Sequence, residues 1–360
     1  MQNVESVYAL SPMQQAMLVR ILQAPHLEEY TEQVGWTVSG SFDVAAFARA
    51  WQRVVDRQPI LRTAFFWEGL EQPLQVVRAR AEVRVEEHDW RGLPDAEARF
   101  EDFLRDDRRR GFALDAAPLL RVACIRVADD AWRVAWSYHH LLLDGWSSSL
   151  GIREVFAVYE ALREGRAPAL EPARRFGDFV AWLAARDVGA AEAFWRDYLA
   201  GFHAPTVLGI ERAPLPGAEE SPRLTETVLP AELGDRLRRL ARRHGVTLNT
   251  LFQAAWGMVL GRFAGETDVV FGAVGSGRPP SYPGVEGMLG MFISTVPVRV
   301  TARPEAPLVA WLREIQAAQT AARDFDSYSL PQLQAWSEVP AGKRLFDTLF
   351  VFQNLPDLET

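Results

Sequence analysis

Apolar residues recur along this chain at helical spacing in some stretches and at strand spacing in others, which predicts an α/β fold. The first helix is the best marked. Ser11 supplies a cap, Pro12 suits the first turn and Gln14 completes a capping box; Met13, Met17 and Leu18 then share a face, with Ile21 and Leu22 one turn on. A second helix starts near Asp43, carries Val44, Phe47, Trp51 and Val54 at helical spacing, and ends before Pro59. A third is expected over 95–109, stopped by Gly111. Strand-like runs at 120–127 and 132–139 flank a turn centred on Asp129 and Asp130, which predicts a hairpin. A helix over 148–164 follows, ended by Gly165.

The stretch 165–175 is rich in Pro, Ala and Arg and reads as a linker, dividing the chain into 1–168 and 169–360. The later part repeats the alternation. Helices are expected at 176–186, 190–199 and 231–244, and Thr247 caps another that runs to about Phe263. Strands are expected at 268–273, 294–301 and 346–353. Between the first two lies Gly275-Ser276-Gly277-Arg278-Pro279-Pro280, a loop that neither helix nor strand absorbs.

With 360 residues, 48% of them hydrophobic, the chain is long enough for two units or one pseudo-duplicated one. A formal charge of -8 gives no reason to expect nucleic acid or a polybasic membrane contact. Cys124 is the only cysteine and sits in an apolar run, so it reads as core; no disulfide can form within the chain, and a reducing cytoplasm is the expected setting. No run approaches the ~20 apolar residues that span a bilayer. Residues 1–8 have neither the basic nor the apolar region of a signal peptide.

The chemistry concentrates at the end of the second hairpin strand: His139-His140-Leu141-Leu142-Leu143-Asp144-Gly145-Trp146. Successive strand side chains point to opposite faces, so the two histidines cannot do the same job. One packs; the other is free to face a cleft. Gly145 permits a tight turn or a close backbone approach by a ligand. A metal site is disfavoured, because adjacent histidines diverge and neither a second cysteine nor a Glu-x-x-His stands near. No G-x-S-x-G elbow, H-E-x-x-H or P-loop occurs.

The segment from Tyr138 to Ser147 resembles the signature of nonribosomal peptide synthetase condensation domains, in the chloramphenicol acetyltransferase-like superfamily. Further segments agree in order. Leu10-Ser11-Pro12-Met13-Gln14-Gln15 resembles the family's opening motif, in the wording of the subgroup that takes a D-configured donor and an L-configured acceptor. Arg57 to Phe65 resembles its second motif, with Gln58 where a His is common. Phe176 to Trp182 resembles its fourth. Gly290 to Arg299 resembles its fifth, with Ser294 where Asn is usual. Phe346 to Asn354 resembles a segment near the later strands, beyond which the family continues for several dozen residues; the second lobe is therefore expected to be truncated.

The resemblance implies two chloramphenicol acetyltransferase-like lobes in a V-shaped pseudodimer, with a tunnel between them. Phosphopantetheine arms of upstream and downstream peptidyl carrier proteins enter it, in a synthetase that also holds an adenylation domain. No cofactor is implied for the domain itself. A carrier-bound amine attacks a carrier-bound thioester, and an amide forms. His140 then stands at the tunnel centre as base, positioner or oxyanion stabiliser. Asp144 pairs with an arginine, for which Arg62 is the candidate; Gly145 leaves room for substrate, and His139 supports. Trp146 and Ser294 are tunnel residues, and the 275–280 loop is the crossover that floors it. An epimerization domain, a heterocyclization domain, a non-catalytic recruitment module and an acyltransferase using coenzyme A are the competing classes.

Overall fold

The computed structural model describes residues 3–24, 30–210 and 224–353. The start of the N-terminal stretch read above, and Asn354 with everything after it, lie outside the described residues. The chain divides into two compact units. The first holds the residues up to Arg186 together with Arg278–Ile293; the second is Asp187–Gly277 with Ser294–Gln353. The division after Arg186, rather than at 168, follows from packing: Phe176 and Phe179, beyond the linker, are buried in the first unit's core. Val285, Met288, Leu289, Met291 and Phe292 are buried in the same core, which is why a segment between two strands of the second unit belongs to the first.

In chain order the first unit contains β1 (Val4–Ala9), α1 (Pro12–Gln23), β2 (Thr31–Ser39), α2 (Val44–Arg57), β3 (Thr63–Phe66), β4 (Leu74–Arg78), β5 (Val85–Asp89), α3 (Ala96–Arg110), β6 (Leu120–Ala128), β7 (Ala131–His139), α4 (Gly145–Arg163) and α5 (Phe176–Ala184). One sheet has the order β2-β7-β6-β5, and a smaller one β1-β4-β3. The predicted hairpin is β6–β7, antiparallel, with Tyr138 opposite Leu120. Strand β7 is internal, and nearly every residue along it is buried rather than every second one. One face carries Trp132, Val134, Trp136 and Tyr138 into a core shared with Trp51 of α2 and Val155 of α4. The other carries Ala135 toward Phe100 of α3. At full burial each such aromatic contributes roughly 1.5–3 kcal/mol.

The second unit contains α6 (Val188–Tyr198), α7 (Ala231–His244), α8 (Leu248–Ala264), β8 (Asp268–Gly275), β9 (Ser294–Thr301), α9 (Leu308–Ala322), α10 (Leu330–Trp336) and β10 (Leu349–Val351). Its sheet order is β10-β8-β9, with β10 parallel and β9 antiparallel to β8. Strand β10 is shorter than the expected 346–353. Thr247 caps α8 through the Thr250 N–H, as its position predicts. No helix among the described residues is long and apolar enough to cross a membrane.

Candidate active site

The histidine pair sits where β7 gives way to a tight turn before α4. His139 is the last strand residue and His140 the first beyond it. The backbone here is fixed group by group. The His139 N–H donates to the Leu119 carbonyl (3.0 Å), the His140 N–H to the Tyr30 carbonyl (2.8 Å), and the Leu142 N–H to the His139 carbonyl (2.9 Å).

The two imidazoles have different surroundings. His139 is 6% exposed and lies on the α3 side of the sheet, edge-on to Phe112. Its Nδ1 accepts the Leu141 N–H (3.1 Å), so that nitrogen carries no proton of its own. Burial, and to a lesser degree the neighbouring His140 imidazole, lower its pKa from 6.5 to about 3. His139 is therefore a neutral structural ring. His140 is only partly buried, and its Nδ1 is enclosed without a hydrogen-bond partner.

Asp144 is fully buried and caps α4. The helix therefore begins at Gly145, three residues before the predicted start: the carboxylate satisfies a first-turn donor that would otherwise be an orphan. Oδ1 accepts the Ser147 N–H (2.7 Å), and Oδ2 accepts the Phe292 N–H (3.0 Å). The carboxylate also sits where the positive end of the α4 dipole favours negative charge. Gly145 is the first helical residue and is not among the glycines with positive φ, so a left-handed turn is not what requires it.

The cation beside Asp144 is Arg278, not Arg62. Arg278 Nη2 lies 3.5 Å from Oδ1, with side-chain exposures of 3% and 0% for the pair. That separation is long for a hydrogen bond and short enough for an ion pair. Ser147 closes the gap: Arg278 Nη2 donates to its Oγ (2.7 Å), which donates to the Gly290 carbonyl (2.7 Å) and accepts the Gly290 N–H (3.0 Å). Arg278 Nη1 donates to the carbonyls of Val285 and Met288. Its guanidinium stacks on Phe292 at 3.9 Å from the ring centre. Burial pulls the Arg278 pKa below its ordinary value, and the Asp144 charge opposes that pull. Gly290 leaves no room for a side chain, since a Cβ would meet the Phe176 ring at 2.2 Å.

Arg62 is occupied elsewhere. It donates to Glu5 Oε2 (2.8 Å), to the Val55 carbonyl (3.0 Å) and to the Arg78 carbonyl, which ties it to β1, β4 and α2. The sequence reading missed Arg278 and Ser147. A signal for the first was present: an arginine set between glycines and prolines in a loop that runs into an apolar stretch. Of the other expected residues, Trp146 donates its indole N–H to the Glu286 carbonyl (2.9 Å). Ser294 opens β9 in the second unit, opposite Gly275, and its buried hydroxyl has no hydrogen-bond partner. The loop from Gly275 crosses between units after Gly277.

Comparisons with known proteins identify the family. The condensation-domain family model matches residues 4–360. One of the linear gramicidin synthase polypeptides of Brevibacillus parabrevis is 42% identical over 99% of this chain, which covers 7% of that synthase polypeptide. A mycosubtilin synthase polypeptide of Bacillus subtilis is 37% identical over 98% of this chain and is covered to 14%. The chain thus spans well under a fifth of the length of these curated relatives. Among solved structures, a mutant starter condensation domain of rhizomide synthetase in complex with C8-CoA superposes with a TM-score of 0.80 at 26% identity, covering 96% of this chain and 78% of that one. The first condensation domain of the calcium-dependent antibiotic synthetase, at 21% identity and a TM-score of 0.78, covers 98% and 82% and shares the fold. A two-unit α/β chain with a His-His-x-x-x-Asp-Gly turn held by a buried Asp–Arg pair is, on this match over nearly its whole length, a member of the condensation-domain family of nonribosomal peptide synthetases, which form amide bonds.

Proposed function

We propose that this chain joins two carrier-tethered substrates, with His140 as the residue at the reacting atoms. The α-amine of an aminoacyl thioester on the downstream carrier attacks the thioester carbonyl of a peptidyl or acyl donor on the upstream carrier. A C–N bond forms, the tetrahedral intermediate collapses, the C–S bond breaks, and one amine proton ends on the departing thiol. Both phosphopantetheine arms are substrates here, supplied by other domains of the synthetase.

The supporting observation is one of elimination within the motif. His139 is buried, neutral and bonded through Nδ1. Asp144 has both carboxylate oxygens engaged and no exposed surface. Only His140 retains partial exposure and an uncommitted ring nitrogen. Its role in this reading is to accept the amine's hydrogen bond and aim the amine at the thioester carbonyl. Trp146 and Ser294 are proposed substrate contacts. The wording of Leu10 to Gln15 favours a D-configured donor.

The test supplies the chain with both loaded carriers and reads each carrier by intact-protein mass spectrometry. Transfer of the donor mass to the acceptor carrier supports the reading, and a faster D-donor than L-donor supports the subgroup. Deuterium exchange at a tethered α-carbon without transfer would instead indicate epimerization. Acylation from a soluble coenzyme A thioester alone would indicate a carrier-independent acyltransferase, and carrier binding without turnover a recruitment module.

A further inference from the structure

Most groups that fix the turn after β7 are backbone, but besides Arg278 at Asp144 a second side chain reaches in from far away in sequence. Gln14, in the first turn of α1, is fully buried, and its Nε2 donates to the Leu141 carbonyl (2.8 Å), one residue past His140. The orientation of that amide is determined. Its Oε1 accepts the Ser11 backbone N–H (2.9 Å), a group that can only donate, so Nε2 must face Leu141. A second buried amide locks the first. Gln75 of β4, also without exposed surface, donates through Nε2 to Gln14 Oε1 (2.9 Å) and to the Ala9 carbonyl (3.0 Å). Its Oε1 takes the other Gln14 donor at 3.4 Å.

We infer that Gln14 is a positioning residue for His140, holding the Leu141 carbonyl so that the imidazole keeps one direction, with Gln75 as its brace. The inference rests on the reading of His140 given above. The helix cap alone needs only the Gln14 oxygen; the donor side is surplus to capping and is spent entirely on the turn and on Gln75. An unpaired amide at this depth is costly, so the geometry is well determined.

Gln14→Met keeps the volume and removes both polar ends, while Gln14→Glu keeps the acceptor for Ser11 and Gln75 and loses the donor to Leu141. In single-turnover transfer between loaded carriers, each variant is expected to lower the maximal rate about tenfold and to leave the half-saturating concentration of either carrier within twofold. Gln75→Met, should the others melt out, is expected to show the same pattern at about threefold. In parallel, ring signals of histidine-labelled protein are recorded, with His140 identified by its loss in His140→Ala. The His140 ring is expected to shift and broaden in the Gln14 variants while the His139 ring stays in place. Folded variants with wild-type rates and an unmoved His140 signal overturn the inference, as does a change confined to carrier affinity. A wild-type chain that transfers nothing contradicts the proposed function, and the ring signals then decide the role of Gln14 by themselves.

Discussion

Each unit has a sheet strand that leads into a helix, and the two junctions are built differently. In the first unit β7 passes into α4 through residues 140–144, where Leu141, Leu142, Leu143 and Asp144 have no exposed surface. In the second, β9 passes into α9 through residues 302–307, where Arg303, Pro304, Glu305 and Pro307 are exposed. Asp144 caps α4 with its side chain; Pro307 precedes α9 with no side-chain cap. The ion pair of the first junction is Asp144–Arg278, excluded from water, and that of the second is Arg303–Glu314 at 57% and 55% side-chain exposure. A connection that only turns the chain can stay wet. The connection that carries His140 is largely buried, and it draws hydrogen-bond partners from segments remote in sequence, Gln14, Gly290 and Phe292 among them.

That contrast gives ordered expectations. The largest effect falls on the buried pair. Asp144→Ala or Arg278→Ala leaves one charge buried and unpaired and is expected to cost about 3–5 kcal/mol in denaturant unfolding. A double-mutant cycle should show strong coupling between Asp144 and Arg278 and near-additivity between Asp144 and Arg62, which bonds to Glu5. Coupling to Arg62 of the same size would break the assignment.

The next effect is set by pH. The folded pKa of His139, about 3, lies below the ordinary 6.5. As pH falls the unfolded chain therefore takes up this proton first. The stability tied to neutral His139 is complete above about pH 6.5 and is lost progressively toward pH 3. At pH 5 the loss is about 2 kcal/mol. His139→Asn keeps an acceptor for the Leu141 N–H and has no proton to gain, so between pH 7 and pH 5 the parent should lose about 2 kcal/mol more than the variant. Equal losses would show that His139 is not held neutral. The smallest effect belongs to the wet junction: Arg303→Ala should change stability by less than ~0.5 kcal/mol, because exposed pairs contribute little. A larger cost would erase the contrast between the junctions.

Local chemistry explains which parts were legible from sequence. Helix α7 was readable at both ends, because Pro230 precedes it and Gly245 adopts a left-handed conformation after it. Capping residues Ser11, Asp43 and Thr247 marked three more helix starts. The short strands β3, β4 and β5 have four or five residues, too few to display a period, and they pass unseen. The start of α4 was misplaced because Asp144 looked like part of a catalytic loop when it is also the cap. The histidines, Asp144 and Gly145 announced themselves by spacing. Arg278 did not, because it meets Asp144 across 134 residues of chain, and only the folded core shows that the Arg62 guanidinium is spent on β1, β4 and α2.

The most direct measurement compares His140→Ala with the parent in single-turnover transfer between two loaded carriers, at matched melting temperature. A fall of roughly a hundred- to ten-thousand-fold in amide formation, with carrier binding retained, is the predicted result. Undiminished transfer by the folded variant would contradict the assignment of His140 to the reacting atoms.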